Sequence, residues 1–236
     1  MKSREPEVAV GMGRGLSVRA HRQLIGYLGL LLPIVLYLMA GVRTTVGLQP
    51  WRLLSSVSAY YYTGAVSVFV GVLFALSLFL FAYRGYENEQ IDRIIGKIAG
   101  VAALGVPLFP TKPPLESLGP SWWTPIMDTV HQVSAIILFG SFILFAVWLF
   151  RKSWIPRFRD RPREKQARDT VCLVCGIAMI LGMIWALIAS FLGGSIFWQE
   201  TIAIEAFAVS WLAKGEAHLS LVRVARIVTN GGRGGV

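Results

Sequence analysis

Glu205 is the side chain whose position most needs a chemical explanation. It lies inside an apolar run that begins near Ile196. At a rise of about 1.5 Å per helical residue, its carboxyl falls near the middle of a bilayer. An ionised carboxylate there costs from about 2.5 kcal/mol upward, so the group is neutral, paired, or turned to a polar cavity. Two readings stay open. Glu205 handles a proton or a ligand, or it is a protonated acid bonded across a helix interface to a serine or tyrosine.

Asp128 and His131 are the second feature. Three residues apart on a helix, they share a face, and Ser134 continues it. An Asp–His pair can position an imidazole as a general base, or supply two metal ligands. An acid in a first helical turn also suits the helix dipole with no chemistry attached. Around them, polar residues cluster at other helix starts: Ser55, Ser56, Ser58, Tyr60, Tyr61 and Tyr62 before one apolar run, and Trp198, Gln199 and Glu200 at the start of the last. Ser58, Tyr61, Tyr62 and Glu205 are the expected ligand-binding residues, and Asp128, His131 and Glu200 the candidate catalytic ones. For the aromatic members the alternative is the belt of tyrosine and tryptophan at a lipid interface.

Other reactive residue types carry less. Lys214 and Glu216 sit near the end of the last apolar run, where their side chains can reach the interface along its surface. Cys172 and Cys175 stand one helical turn apart in an apolar segment. A zinc site needs about four ligands and no second pair exists, so small apolar packing accounts for them and no metal is expected. The spacing names no cofactor.

The elements that position these residues are set by composition. The 236 residues are 55% hydrophobic and only 15% charged, with a mean hydropathy of +0.59. Soluble chains carry about a quarter charged residues, so this is the membrane class. Six apolar runs are legible: Leu24 to Ala40, Tyr60 to Tyr83, Ile94 to Phe109, Pro125 to Phe150, Thr170 to Leu192, and Ile196 to His218. The expected fold is an all-α bundle of about six transmembrane helices over residues 23–218. A basic tail of residues 1–22 precedes it, and a tail of residues 219–236 follows. The first run is read as an uncleaved span, since no small-residue cleavage site follows it. Pro33 predicts a kink. Thr124 and Pro125 read as an N-cap and first-turn proline, and Gly193 with Gly194 as a tight turn.

Charge sets the expected orientation. The formal net charge is +10, and its lysines and arginines gather in the two tails and the loops after the second and fourth runs. The opposite side holds only Arg43, Arg52 and Lys112. That asymmetry predicts both termini in the cytoplasm. Basic residues that flank apolar runs point to anionic lipid and not to nucleic acid. Small residues at helix-packing intervals (Ser67, Gly71 and Ala75; Gly96 and Gly100; Ala206 and Ser210) predict close helix contacts.

The stretches SAYYYTGAVSVFVGVLFALSLFLFAYRGY, ALGVPLFPT and AFAVSWLAKGE resemble uncharacterised bacterial polytopic membrane proteins. The resemblance covers most of the second, third and sixth runs. It implies a small bundle in the bacterial cytoplasmic (inner) membrane and assigns no site residue. Ser58 with its tyrosines, Asp128 and His131 are similar to polar motifs of alkaline-ceramidase-like membrane hydrolases, which hold zinc with several histidines on one side of the membrane. The histidines here are His21, His131 and His218. The expected topology sets His131 against the other two, which excludes a three-histidine site. Three functions follow as expectations: a protein that binds a lipid or small ligand in an outward polar pocket with Glu205 at its base, a membrane hydrolase using Asp128, His131 and Glu200, or a structural subunit with membrane-protein partners.

Overall fold

The computed structural model describes residues 17–85, 90–115 and 118–217. Among them are six α-helices and no strand: α1 (Val18–Val42), α2 (Val66–Phe81), α3 (Gln90–Leu108), α4 (Pro125–Val147), α5 (Arg163–Phe191) and α6 (Phe197–Lys214). Most of the expected basic tails, and His218, lie outside the described residues. The all-helical expectation holds. Three helical stretches are long and apolar enough to cross a membrane: Val18–Val42, Pro125–Arg151 and Arg163–Phe191. The other three fall short for separate reasons. α2 is apolar but has 16 residues, about 24 Å against a hydrocarbon core of about 30 Å. α3 carries Asp92, Arg93 and Lys97, and α6 carries Glu200, Glu205 and Lys214.

Helix ends differ from the hydropathy boundaries where local hydrogen bonding outweighs apolarity. α2 starts at Val66, not at Tyr60, because Ser58–Tyr62 form a short 3-10 segment. The Thr63 hydroxyl donates to the Tyr60 carbonyl at 2.7 Å and accepts from Ala65 N–H at 3.1 Å, which separates the two elements. α5 begins at Arg163, well before the apolar run at Thr170. Its first turns are polar but helical, held by the Lys165–Asp169 pair at four-residue spacing.

Successive helices pack side by side, and α6 closes against α1, so the six form a ring with α4 also reaching α6. Close approach is made by small residues. A Cβ on Gly26 of α1 would lie 2.6 Å from Leu212 of α6. One on Gly100 of α3 would lie 3.0 Å from backbone atoms of Ser77 and Phe81 on α2. The Ser77 hydroxyl donates to the Gly100 carbonyl at 2.7 Å across that contact. The Ser67–Gly71–Ala75 stripe differs from its expectation: a Cβ on Gly71 would meet nothing within 4 Å, so this stripe faces out of the ring.

The two ends of the ring differ in chemistry. One gathers the starts of α1, α3 and α5 with the end of α6. Here Lys152 pairs with buried Asp92 at 3.1 Å, Arg161 and Lys165 both pair with buried Asp169, and Arg19 and Arg168 both reach Glu216. Behind these pairs an aromatic cluster fills the interior. The fully buried Trp211 meets Tyr83, Phe145 and Phe150 at ring separations of 5.1, 5.2 and 4.9 Å. The other end gathers the starts of α2, α4 and α6 with the end of α3.

Candidate functional site

The end of α3 creates the site. Pro110 has no N–H, so the carbonyl four residues earlier, on Val106, loses the donor a continuing helix would supply. His131, in the second turn of α4, takes that place. Its Nδ1 lies 2.9 Å from the Val106 carbonyl and 3.0 Å from that of Phe109. Both partners can only accept, so Nδ1 carries the ring proton and donates to them. The other nitrogen, Nε2, therefore presents its lone pair, and the Ser58 hydroxyl lies 3.0 Å from it as donor. His131 is 2% exposed, so this tautomer is held away from solvent.

Ser58 is brought there by the loop that carries it. Ser56 Oγ accepts from Ala59 N–H at 3.0 Å and bends the chain into the 3-10 segment. The Ser55 carbonyl accepts from Ile196 N–H at 2.7 Å and from the Ser195 hydroxyl at 3.1 Å, which ties the start of α6 to the same loop. One turn into α6, Glu200 Oε2 accepts from Val57 N–H at 2.6 Å. His131 and Glu200, far apart in the chain, thus meet the adjacent residues Ser58 and Val57.

Behind this polar cluster a cavity of about 60 Å³ runs between the helices. That is several times the roughly 10–15 Å³ that one water molecule needs. Ser58 and Glu200 contribute to its wall at the polar end. The rest is apolar: Val57 next to Ser58, Leu28, Gly29 and Leu32 of α1, Phe69, Val72, Leu73 and Leu76 of α2, Val106 of α3, Ala135, Leu138, Phe139 and Phe142 of α4, and Ile204 and Phe207 of α6. Five helices therefore share one slot, and α5 stands outside it.

The remaining expected residues lie elsewhere. Asp128 shares the face of His131 but not a hydrogen bond with it. Its Oδ1 accepts from the Thr111 hydroxyl at 2.9 Å and from Lys112 N–H at 2.8 Å, so it anchors the loop between α3 and α4. The orienting part that the spacing suggested for Asp128 falls to the carbonyls of Val106 and Phe109. The Tyr62 hydroxyl donates to the Thr111 carbonyl at 2.6 Å, which joins it to the same loop. Tyr61 packs edge-on against Tyr62 and Phe69. Neither tyrosine lines the cavity. Glu205 is half-buried in the middle of α6 and does not line the cavity either; the neighbouring Ile204 does. The acid at the cavity is Glu200, one turn nearer the polar end.

No group of three His, Cys, Asp or Glu side chains that could hold a metal ion exists among the described residues. His21 lies at the opposite end of the ring, bonded through Nε2 to the Phe79 carbonyl at 2.7 Å. Cys172 and Cys175 are buried and unbridged, and the Cys172 thiol faces the Ser210 carbonyl at 3.8 Å. Val106, Phe109 and the cavity wall are the parts that sequence reasoning missed. The available signal was Pro110, which marks a free carbonyl four residues before it. No family model, curated protein or solved structure matches the chain.

Proposed function

We propose that this chain is a six-span membrane protein that binds a lipid with a short length of its hydrocarbon chain in the interior slot and its polar group beside Ser58 and Glu200. The observation that carries the reading is the cavity: an apolar slot shared by five helices, with the polar side chains of Ser58 and Glu200 in its wall. A hydrocarbon tail joined to a polar head has the same division.

Six spans are supported by the outward faces. Leu31, Leu78, Val101, Ile136, Leu181 and Trp198 belong to α1 through α6 in turn, and each is more than half exposed. Large apolar side chains turned outward from every helix of a ring fit a lipid surround better than water. The shorter α2, α3 and α6 then cross beside the longer helices, and the polar ends of α3 and α6 lie near the interfaces. We read the basic end as cytoplasmic, facing anionic lipid, with both termini on that side and the membrane as the bacterial inner membrane. The polar cluster then opens toward the outer leaflet.

Native mass spectrometry from mild detergent tests the lipid reading. The wild-type protein is expected to retain a lipid of defined mass. Ala135→Phe, which fills the slot, is expected to remove it while the protein stays folded. Equal retention in both proteins would identify the lipid as part of the outer annulus and overturn the reading.

A further inference from the structure

We propose that Ser58 is a nucleophile and His131 its general base, so that the chain cleaves an ester of the lipid whose hydrocarbon chain enters the slot. This rests on the lipid reading above.

The geometry has three parts. Ser58 Oγ lies 3.0 Å from His131 Nε2, inside the range of about 2.6–3.2 Å over which a nucleophile hands its proton to a base. His131 is oriented by a third group, as such a base must be. Here that group is the pair of carbonyls of Val106 and Phe109, which hold the proton on Nδ1 and leave Nε2 free to accept. Finally, Ser58 forms part of the cavity wall where polar gives way to apolar, which is where the ester carbonyl of a seated acyl chain would lie. A serine serving only to satisfy the buried imidazole would need no cavity beside it.

The reaction balances without a metal or redox partner. Ser58 Oγ attacks the ester carbonyl carbon as its proton passes to His131 Nε2. The carbon–oxygen bond to the leaving alcohol breaks, and the alcohol departs with that proton. Water then attacks the acyl-serine ester and gives a proton to Nε2. The second bond cleavage releases the carboxylic acid, and the proton returns to Ser58 Oγ.

The experiment uses the full-length protein in mild detergent and a long-chain alkyl fluorophosphonate, which is attacked by an activated serine with loss of fluoride. Peptide mass spectrometry is expected to find the phosphonyl group on Ser58. Labelling should disappear in Ser58→Ala and fall at least tenfold in rate in His131→Gln, which keeps a polar side chain beside Ser58 but cannot act as the base. Native spectra of both variants report whether the lipid is still held. Loss of label in variants whose native charge-state distribution matches that of the wild-type protein is the expected result. A wild-type protein that retains lipid but takes no label on Ser58 overturns the nucleophile and leaves the lipid reading standing. Labelling that is undiminished in His131→Gln overturns the base. Ser58→Cys gives a second reading: its thiol is expected to be alkylated by iodoacetamide faster than the same thiol in the Ser58→Cys, His131→Gln double variant, and equal rates would overturn the activation of position 58.

Discussion

At the scale of single residues, the polar end of the ring is a set of backbone groups satisfied by side chains from other helices. Pro110 frees a carbonyl, His131 fills it, and Ser58 meets the other side of the same ring. Nearby, Asp128 and Tyr62 bind opposite sides of Thr111, one through its hydroxyl and one through its carbonyl. Tyr62→Phe removes the donor to a buried carbonyl and is expected to cost about 1–2 kcal/mol, read as a lower melting temperature in detergent. An unchanged melting temperature would mean that water replaces the hydroxyl. Two acids one turn and a residue apart show how far position alone can be read. Glu205 was the conspicuous one because it sits deepest in an apolar run. Glu200 sits nearer the end, where its carboxylate meets Val57 N–H and the cavity. Hydropathy reports depth, but the rotation of a helix decides which of its residues face inward.

At the scale of elements, hydropathy located each apolar helix and placed its ends less well. The polar first turns of α5 are helical because charge pairs and propensity continue where apolarity stops. The three serines and three tyrosines before α2 form a loop with a 3-10 segment, because the Ser56 and Thr63 side chains bond backbone groups that a helix would have used. Gly96 and Gly100 form a packing seam against α2, as their spacing predicts, but the stripe of Ser67, Gly71 and Ala75 has the same spacing and faces outward. Spacing identifies a smooth face and leaves open what it meets. The α2–α3 seam is the more sensitive of these contacts. Gly100→Ala would push a methyl against backbone atoms of Ser77 and Phe81 that cannot rotate away, at an expected cost of about 1–3 kcal/mol. Thermal unfolding in detergent checks it, and Gly71→Ala, with open space around it, is the matched control that should be neutral.

At the scale of the whole molecule, the ring has a basic end tied by ion pairs and a polar end tied by hydrogen bonds. The positive charge of the first predicts which end faces the cytoplasm. Trp154 lies fully exposed in the loop after α4, and Leu192 is 81% exposed in the turn after α5. These mark opposite ends. In intact bacterial cells a membrane-impermeant maleimide is expected to label Leu192→Cys but not Trp154→Cys, which should react only after permeabilisation. The native cysteines are buried and should stay silent. The reverse pattern would invert the topology, and labelling of both in intact cells would mean that an even number of crossings lies between them.

What the amino-acid sequence determined by itself is the environment: apolar runs with few charges make helices for lipid, since only a helix satisfies its own backbone there. It also marked the polar helix starts that gather at one end. What only the tertiary structure decided is which of those groups touch. The partners of His131 are two carbonyls and a serine drawn from separate elements, and the slot is bounded by five helices at once. Contacts of that kind depend on how each helix is turned about its own axis. That rotation is set by packing of all six helices together, so no single segment of the chain contains it.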